Sequence, residues 1–154
     1  MTSNTADRGD PRSPTTLTGG RATVDKVFMW GLMLFLVACL VQFFLAGLGV
    51  FDLQGHKIQN AGSLDPHRAL GDALGVLSLV LLILALVAHV SSRTMLVSLL
   101  LAVLTAGAQS ALAAAGETTA FWGGLHALDG LIILGVAGFL QGEARRRARA
   151  TSNP

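Results

Sequence analysis

Inside the apolar stretches of this 154-residue sequence, two sets of polar residues recur in the same order. Gln42 is followed by His67 and Asp72; Gln109 is followed by His126 and Asp129. A neutral imidazole is a metal ligand as well as a hydrogen-bond partner. Two imidazoles from facing helices can fill both axial positions of a haem iron, which makes His67 and His126 the candidate ligands of a b-type haem. Gln42 and Gln109 are of the right type to orient the second nitrogen of each ring or to bond the haem edge. Arg68 and Lys57 are placed to meet the propionates. Each of the four polar residues also has a small residue four positions on: Gln42–Ala46, His67–Gly71, Gln109–Ala113 and His126–Gly130. Residues four apart share a helix face, so each helix sets a gap beside its polar group. The gaps serve close helix packing in the plain reading. In the sharper reading they give room for a flat ligand, with Gly71 and Gly130 beside the porphyrin plane. The histidines have a plain reading too, as hydrogen-bonded packing residues.

The remaining titratable residues read more simply. His56 falls in a polar connection and reads as solvated. His89 falls at the end of an apolar run, where a cation suits the helix dipole. Asp72 and Asp129 read either as carboxylates favoured by nearby helix N-termini or as functional groups, since charge inside a membrane span is costly. Cys39 is the only cysteine, so no intramolecular disulfide forms. The chain has no zinc-type Cys/His spacing, no glycine loop for phosphate and no basic-aromatic face for nucleic acid.

The elements that must position these residues follow from composition. Hydrophobic residues make up 52% and charged residues 13%, against about 25% charged in a soluble domain. Four segments approach the roughly 20 apolar residues a span needs: about 27–50, 67–90, 94–115 and 120–140. Asp65 reads as an N-cap with Pro66 at the first helical position. Short connections at Ser91–Arg93 and Gly116–Thr119 force antiparallel neighbours. The expected fold is an all-α membrane protein, a four-transmembrane-helix up-down bundle occupying 23–141 and built from two repeated hairpins. Residues 1–22 read as a disordered N-terminal tail, and 142–154 as a basic C-terminal tail touching anionic lipid. Lys and Arg divide nine to two: Arg8, Arg12, Arg21, Lys26, Arg93, Arg145, Arg146, Arg147 and Arg149 against Lys57 and Arg68. That division puts both termini in the cytoplasm of a multi-pass cell-membrane protein.

At 1.5 Å per helical residue, Gln42, Gln109 and His126 fall roughly 9–12 Å inside the outer ends of their spans, with His67 shallower. The inner half is apolar. The two hairpins run in the same sense, so their repeat is parallel, about an axis along the membrane normal.

The segments Val41-Gln42-Phe43-Phe44-Leu45-Ala46-Gly47-Leu48-Gly49, His67-Arg68-Ala69-Leu70-Gly71 and Leu125-His126-Ala127-Leu128 resemble an uncharacterised family of small four-helix bacterial membrane proteins. The layout is also similar, more distantly, to one four-helix half of haem A synthase. That resemblance implies a haem pocket with histidines on the second and fourth helices, where His67 and His126 fall. The chain has no second half and no glutamate matching that enzyme's catalytic residue. What is implied is the haem-binding half-fold, not the oxygenase activity. Three classes of function are compatible: a b-type haem protein transferring electrons near the outer face, a haem-free accessory or assembly subunit of a larger membrane or respiratory complex, and a small transporter using Asp72 and Asp129. No independent catalytic activity is expected.

Overall fold

The computed structural model describes residues 19–55 and 63–152, and every element among them is helical. Helix α1 spans Gly19–Gly55 and α2 spans Asp65–Val87. Helix α3 covers Ser92–Gly116, with a π-helical stretch at Val103–Ala108. Helix α4 spans Ala120–Ser152. All four are long and apolar enough to cross a bilayer, and the protein is an integral, multi-pass membrane protein.

Each helix neighbours the next in sequence, and α4 closes back on α1, leaving α2 and α4 on one diagonal and α1 and α3 on the other. Both termini and the α2–α3 turn share one end, here the terminal face; the α1–α2 and α3–α4 connections form the loop face.

The core lies along one stripe of each helix. Phe28, Leu32, Phe35 and Cys39 are buried on α1, and Leu74, Ser78, Leu81 and Ala85 on α2. On α3 the seam holds Thr94, Ser98, Leu101 and Thr105, with Ala102 buried beside it; on α4 it holds Ile133, Ala137, Leu140 and Ala144, with Asp129 and Gln141 also buried. All four sets repeat by four, three and four residues, the seam of a gently left-handed bundle. The hydroxyls in this seam donate within their own helices: Ser78 to Gly75 O, Ser98 to Thr94 O and Thr105 to Leu101 O. Trp30, Leu34, Val37, Leu79, Ile83, Leu96 and Leu131 point outward, where lipid covers them. The apolar seam fills the half nearer the termini and leaves the loop half for the polar residues.

Several local expectations are corrected. α1 begins at Gly19, inside the stretch read as an irregular tail; the rest of that stretch, with Arg8 and Arg12, lies outside the described residues. His56 and Lys57 lie outside them as well. Asp65 does not cap α2: the N-cap is Leu64, with helical dihedrals, and Asp65 is already helical. Its carboxylate instead pairs with Arg68 at 3.7 Å. α3 has the cap the sequence did not assign, with Ser91 Oγ accepting from Thr94 N. His89 takes φ 50° and sets Nδ1 2.9 Å from Val87 O, so it closes the end of α2 through a hydrogen bond.

A two-histidine centre held by glutamine latches

Within each hairpin, glutamine and histidine bond each other's backbone. Gln42 Nε2 donates to His67 O at 2.8 Å, and His67 Nδ1 lies 3.2 Å from Gln42 O. Gln109 Nε2 donates to His126 O at 3.0 Å, and His126 Nδ1 lies 3.2 Å from Gln109 O. A carbonyl accepts only, so each Nδ1 carries the proton and each Nε2 keeps its lone pair. The Gln42 nitrogen also lies 3.5 Å from His67 Nε2.

The surroundings of the two latches correspond position by position. A Cβ built on Gly71 would meet Gln42 Nε2 at 3.1 Å; one on Gly130 would meet Gln109 Nε2 at 3.5 Å and Phe43 Cζ at 3.3 Å. Gly49, seven residues after Gln42, packs on Ser63 and Leu64; Gly116, seven residues after Gln109, packs on Trp122 and Gly123. The repeat is thus carried by contacts as well as by residue order. It also resolves the apparent difference in depth between the histidines. Leu64 and Gly123 both stand three residues before a histidine, so the residues from Ala120 are an additional first turn of α4 that α2 lacks.

The glycine gaps have a different use from the one expected. They take the glutamine amides, and at Gly130 the Phe43 ring as well, so neither lies open beside its histidine. The aspartates part company. Asp129, three residues after His126, is 7% exposed. Asp72, five residues after His67, is exposed on the outside of the bundle. One residue of helix is about 100° of rotation, which puts the two carboxylates on different faces. Gln42 Oε1 and Asp129 Oδ2 are buried acceptors without a hydrogen-bond partner. Arg68 pairs with Asp65 and Glu117, each at 3.7 Å.

His67 and His126, on diagonal helices, meet at the centre with ring centroids 6.1 Å apart and planes at 71°. Among the described residues no group of three or more His, Cys, Asp or Glu side chains converges to hold a bare ion.

The π-helical stretch immediately precedes Gln109, whose N–H bonds Leu104 O five residues back. Such widened turns often mark functional sites, and hydrophobic spacing carries no signal of them. No curated protein and no solved structure matches the chain, so the likeness to half of haem A synthase gains nothing from either comparison. A family of unknown function (DUF6220) matches residues 42–116. Over that segment, just under half of the chain and including Gln42, His67 and Gln109, the protein is similar to an uncharacterised family.

Proposed function

We propose that the protein binds one b-type haem between His67 and His126 and passes electrons near the loop face. The observation that carries this reading is the 6.1 Å approach of two imidazoles whose Nδ1 atoms are both committed to glutamine carbonyls. The Gln42 and Gln109 latches hold each ring in one tautomer and orientation, as outer partners of metal-bound histidines do. Haem supplies one-electron redox chemistry. Held by both histidines, a haem would transfer electrons rather than bind oxygen. Arg68 stands at the loop face to meet anionic haem edges, at the expense of its pairs with Asp65 and Glu117.

Charge supports an orientation with the termini in the cytoplasm. Among the described residues, Arg21, Lys26, Arg93, Arg145, Arg146, Arg147 and Arg149 gather at the terminal face, while Arg68 alone is basic at the loop face. The haem would then lie toward the outer leaflet. An optical spectrum of the purified full chain, expressed with ample haem, tests the reading. A low-spin b-type spectrum is expected, lost in both His67→Ala and His126→Ala. Colourless wild-type protein would refute it in favour of a haem-free accessory subunit.

A further inference from the structure

At the terminal face, α1 and α4 run beyond the apolar spans side by side, and their charges are sorted. Asp25 pairs with Arg147 at 3.4 Å, and the Arg147 guanidinium lies 5.8 Å from the centre of the Phe28 ring. Glu143 pairs with Arg146. Arg93 stacks on Phe139, and Arg21 donates to Ala88 O. Two basic residues are treated differently. Neither Lys26 nor Arg145 has a described carboxylate within ion-pair distance.

Arg145 is nonetheless held in place. Gln141 is 5% exposed, and its amide, turned to satisfy both ends, donates from nitrogen to Met29 O at 2.9 Å and accepts at oxygen from Arg145 Nε at 3.2 Å. The guanidinium then reaches the membrane-side stretch of α1, with Nη2 3.9 Å from Met33 Sδ. Lys26, Trp30, Met33 and Val37 share that α1 face, being spaced by four, three and four. Trp30 is 66% exposed, the exposure of an interfacial anchor. A fixed guanidinium, a lysine on the same face and an indole thus stand where apolar surface gives way to charge. At such an edge of a membrane-spanning bundle lipid meets the protein, and charge complementarity selects an anionic one.

We infer that this α1–α4 edge holds an anionic phospholipid, with its phosphate at Arg145 and Lys26 and its glycerol region against Trp30. The Gln141 relay pre-orders the guanidinium, so binding loses less side-chain freedom than a mobile arginine would. The site is independent of the histidine centre and of which leaflet it faces.

The test uses the full chain with Trp122→Phe, which leaves Trp30 as its one indole, in phosphatidylcholine bilayers carrying a minor fraction of brominated phosphatidylglycerol or brominated phosphatidylcholine. The brominated anionic lipid should quench Trp30 more strongly. Arg145→Gln should lower that preference about five-fold, the worth of one charge at a membrane surface. Gln141→Leu, which keeps every charge, should lower it as well. Arg149→Gln changes net charge equally and should have a smaller effect. Equal quenching by the two lipids in the parent protein overturns the inference. So does an Arg149→Gln loss as large as that of Arg145→Gln, since the attraction would then be diffuse. Circular dichroism checks the helicity of each variant, and native mass spectrometry of retained phosphatidylglycerol gives the same comparison without Trp122→Phe.

Discussion

In both hairpins the imidazole commits Nδ1 to a backbone carbonyl, and the two rings meet at the bundle centre. The glutamine sets this arrangement, because its amide satisfies the histidine carbonyl while its own carbonyl receives the ring proton. Gln109→Leu should remove the interhelical bond to His126 O, lowering stability by about 1 kcal/mol in reversible unfolding from mixed micelles. If haem is bound, the same substitution should broaden or shift its spectrum without abolishing it, because Nε2 is untouched. A paired substitution separates the tight glycine from an open one. Gly130→Ala pushes a methyl against Phe43 Cζ and Gln109 Nε2, whereas nothing lies within 4 Å of a Cβ on Gly135. Gly130→Ala should therefore destabilise, and Gly135→Ala should be neutral or add up to about 1 kcal/mol through helix propensity; thermal unfolding of the two proteins checks the contrast. Residue types and order sufficed to single out Gln42, His67, Gln109 and His126. Their hydrogen-bond pattern was not legible, because a side chain's choice between another side chain and a backbone carbonyl depends on helix depth to within a few ångströms. The division between Asp72 and Asp129 was open to simple counting, three residues against five after the histidine, but residue order alone conceals it.

At the scale of the helices, hydrophobic length and composition located all four, and Gly116 and the Ser91 region marked their ends. Propensity misled where the chain leaves the apolar region: α1 starts at Gly19 and α4 continues to Ser152, because the ends of α1 and α4 pair through Asp25–Arg147 and Gln141–Met29. The π-helical turn could not be anticipated, since it shifts hydrogen bonds without altering the burial spacing around Thr105. Helix contact also fixes the sense of two substitutions. A Cβ on Gly31 would lie 2.8 Å from Leu81 Cδ2, and Leu81 is 1% exposed in the seam. Gly31→Ala must therefore displace a core leucine and should cost roughly 1–3 kcal/mol in the same unfolding measurement. A Cβ on Gly75 would lie 3.7 Å from Ala106 Cα, an ordinary contact, so Gly75→Ala should be tolerated and Gly75→Leu should drive α2 from the π-helical turn. Disulfide trapping between cysteines placed at Gly75 and Ala106 measures that approach.

Taken as a whole, the molecule has an apolar half packed by heptad seams and a polar half organised around two histidines. The repeated hairpins and the bundle were legible because membrane spans must satisfy their backbone internally, which leaves few architectures for four helices with short turns. Orientation rests on charge. A reporter after Pro154 should read cytoplasmic and one inserted near Gln59 external; the reverse result would move the histidine centre to the inner leaflet without altering its geometry.

The latches also bear on how the molecule is put together. Each one closes within a single hairpin, α1 to α2 and α3 to α4, and none runs between the hairpins. Either hairpin carries, by itself, a ring with its tautomer and direction assigned. What joins them at that level is the meeting of the two rings and the seating of Phe43 against Gly130, so a metal between the rings would act as a clasp between two prefabricated pieces. Severed between His89 and Ser91, the fragments retain every latch contact, and co-expressed they should reassemble in the bilayer. If the clasp exists, the two pieces should co-purify when haem is supplied and separate when either histidine is replaced.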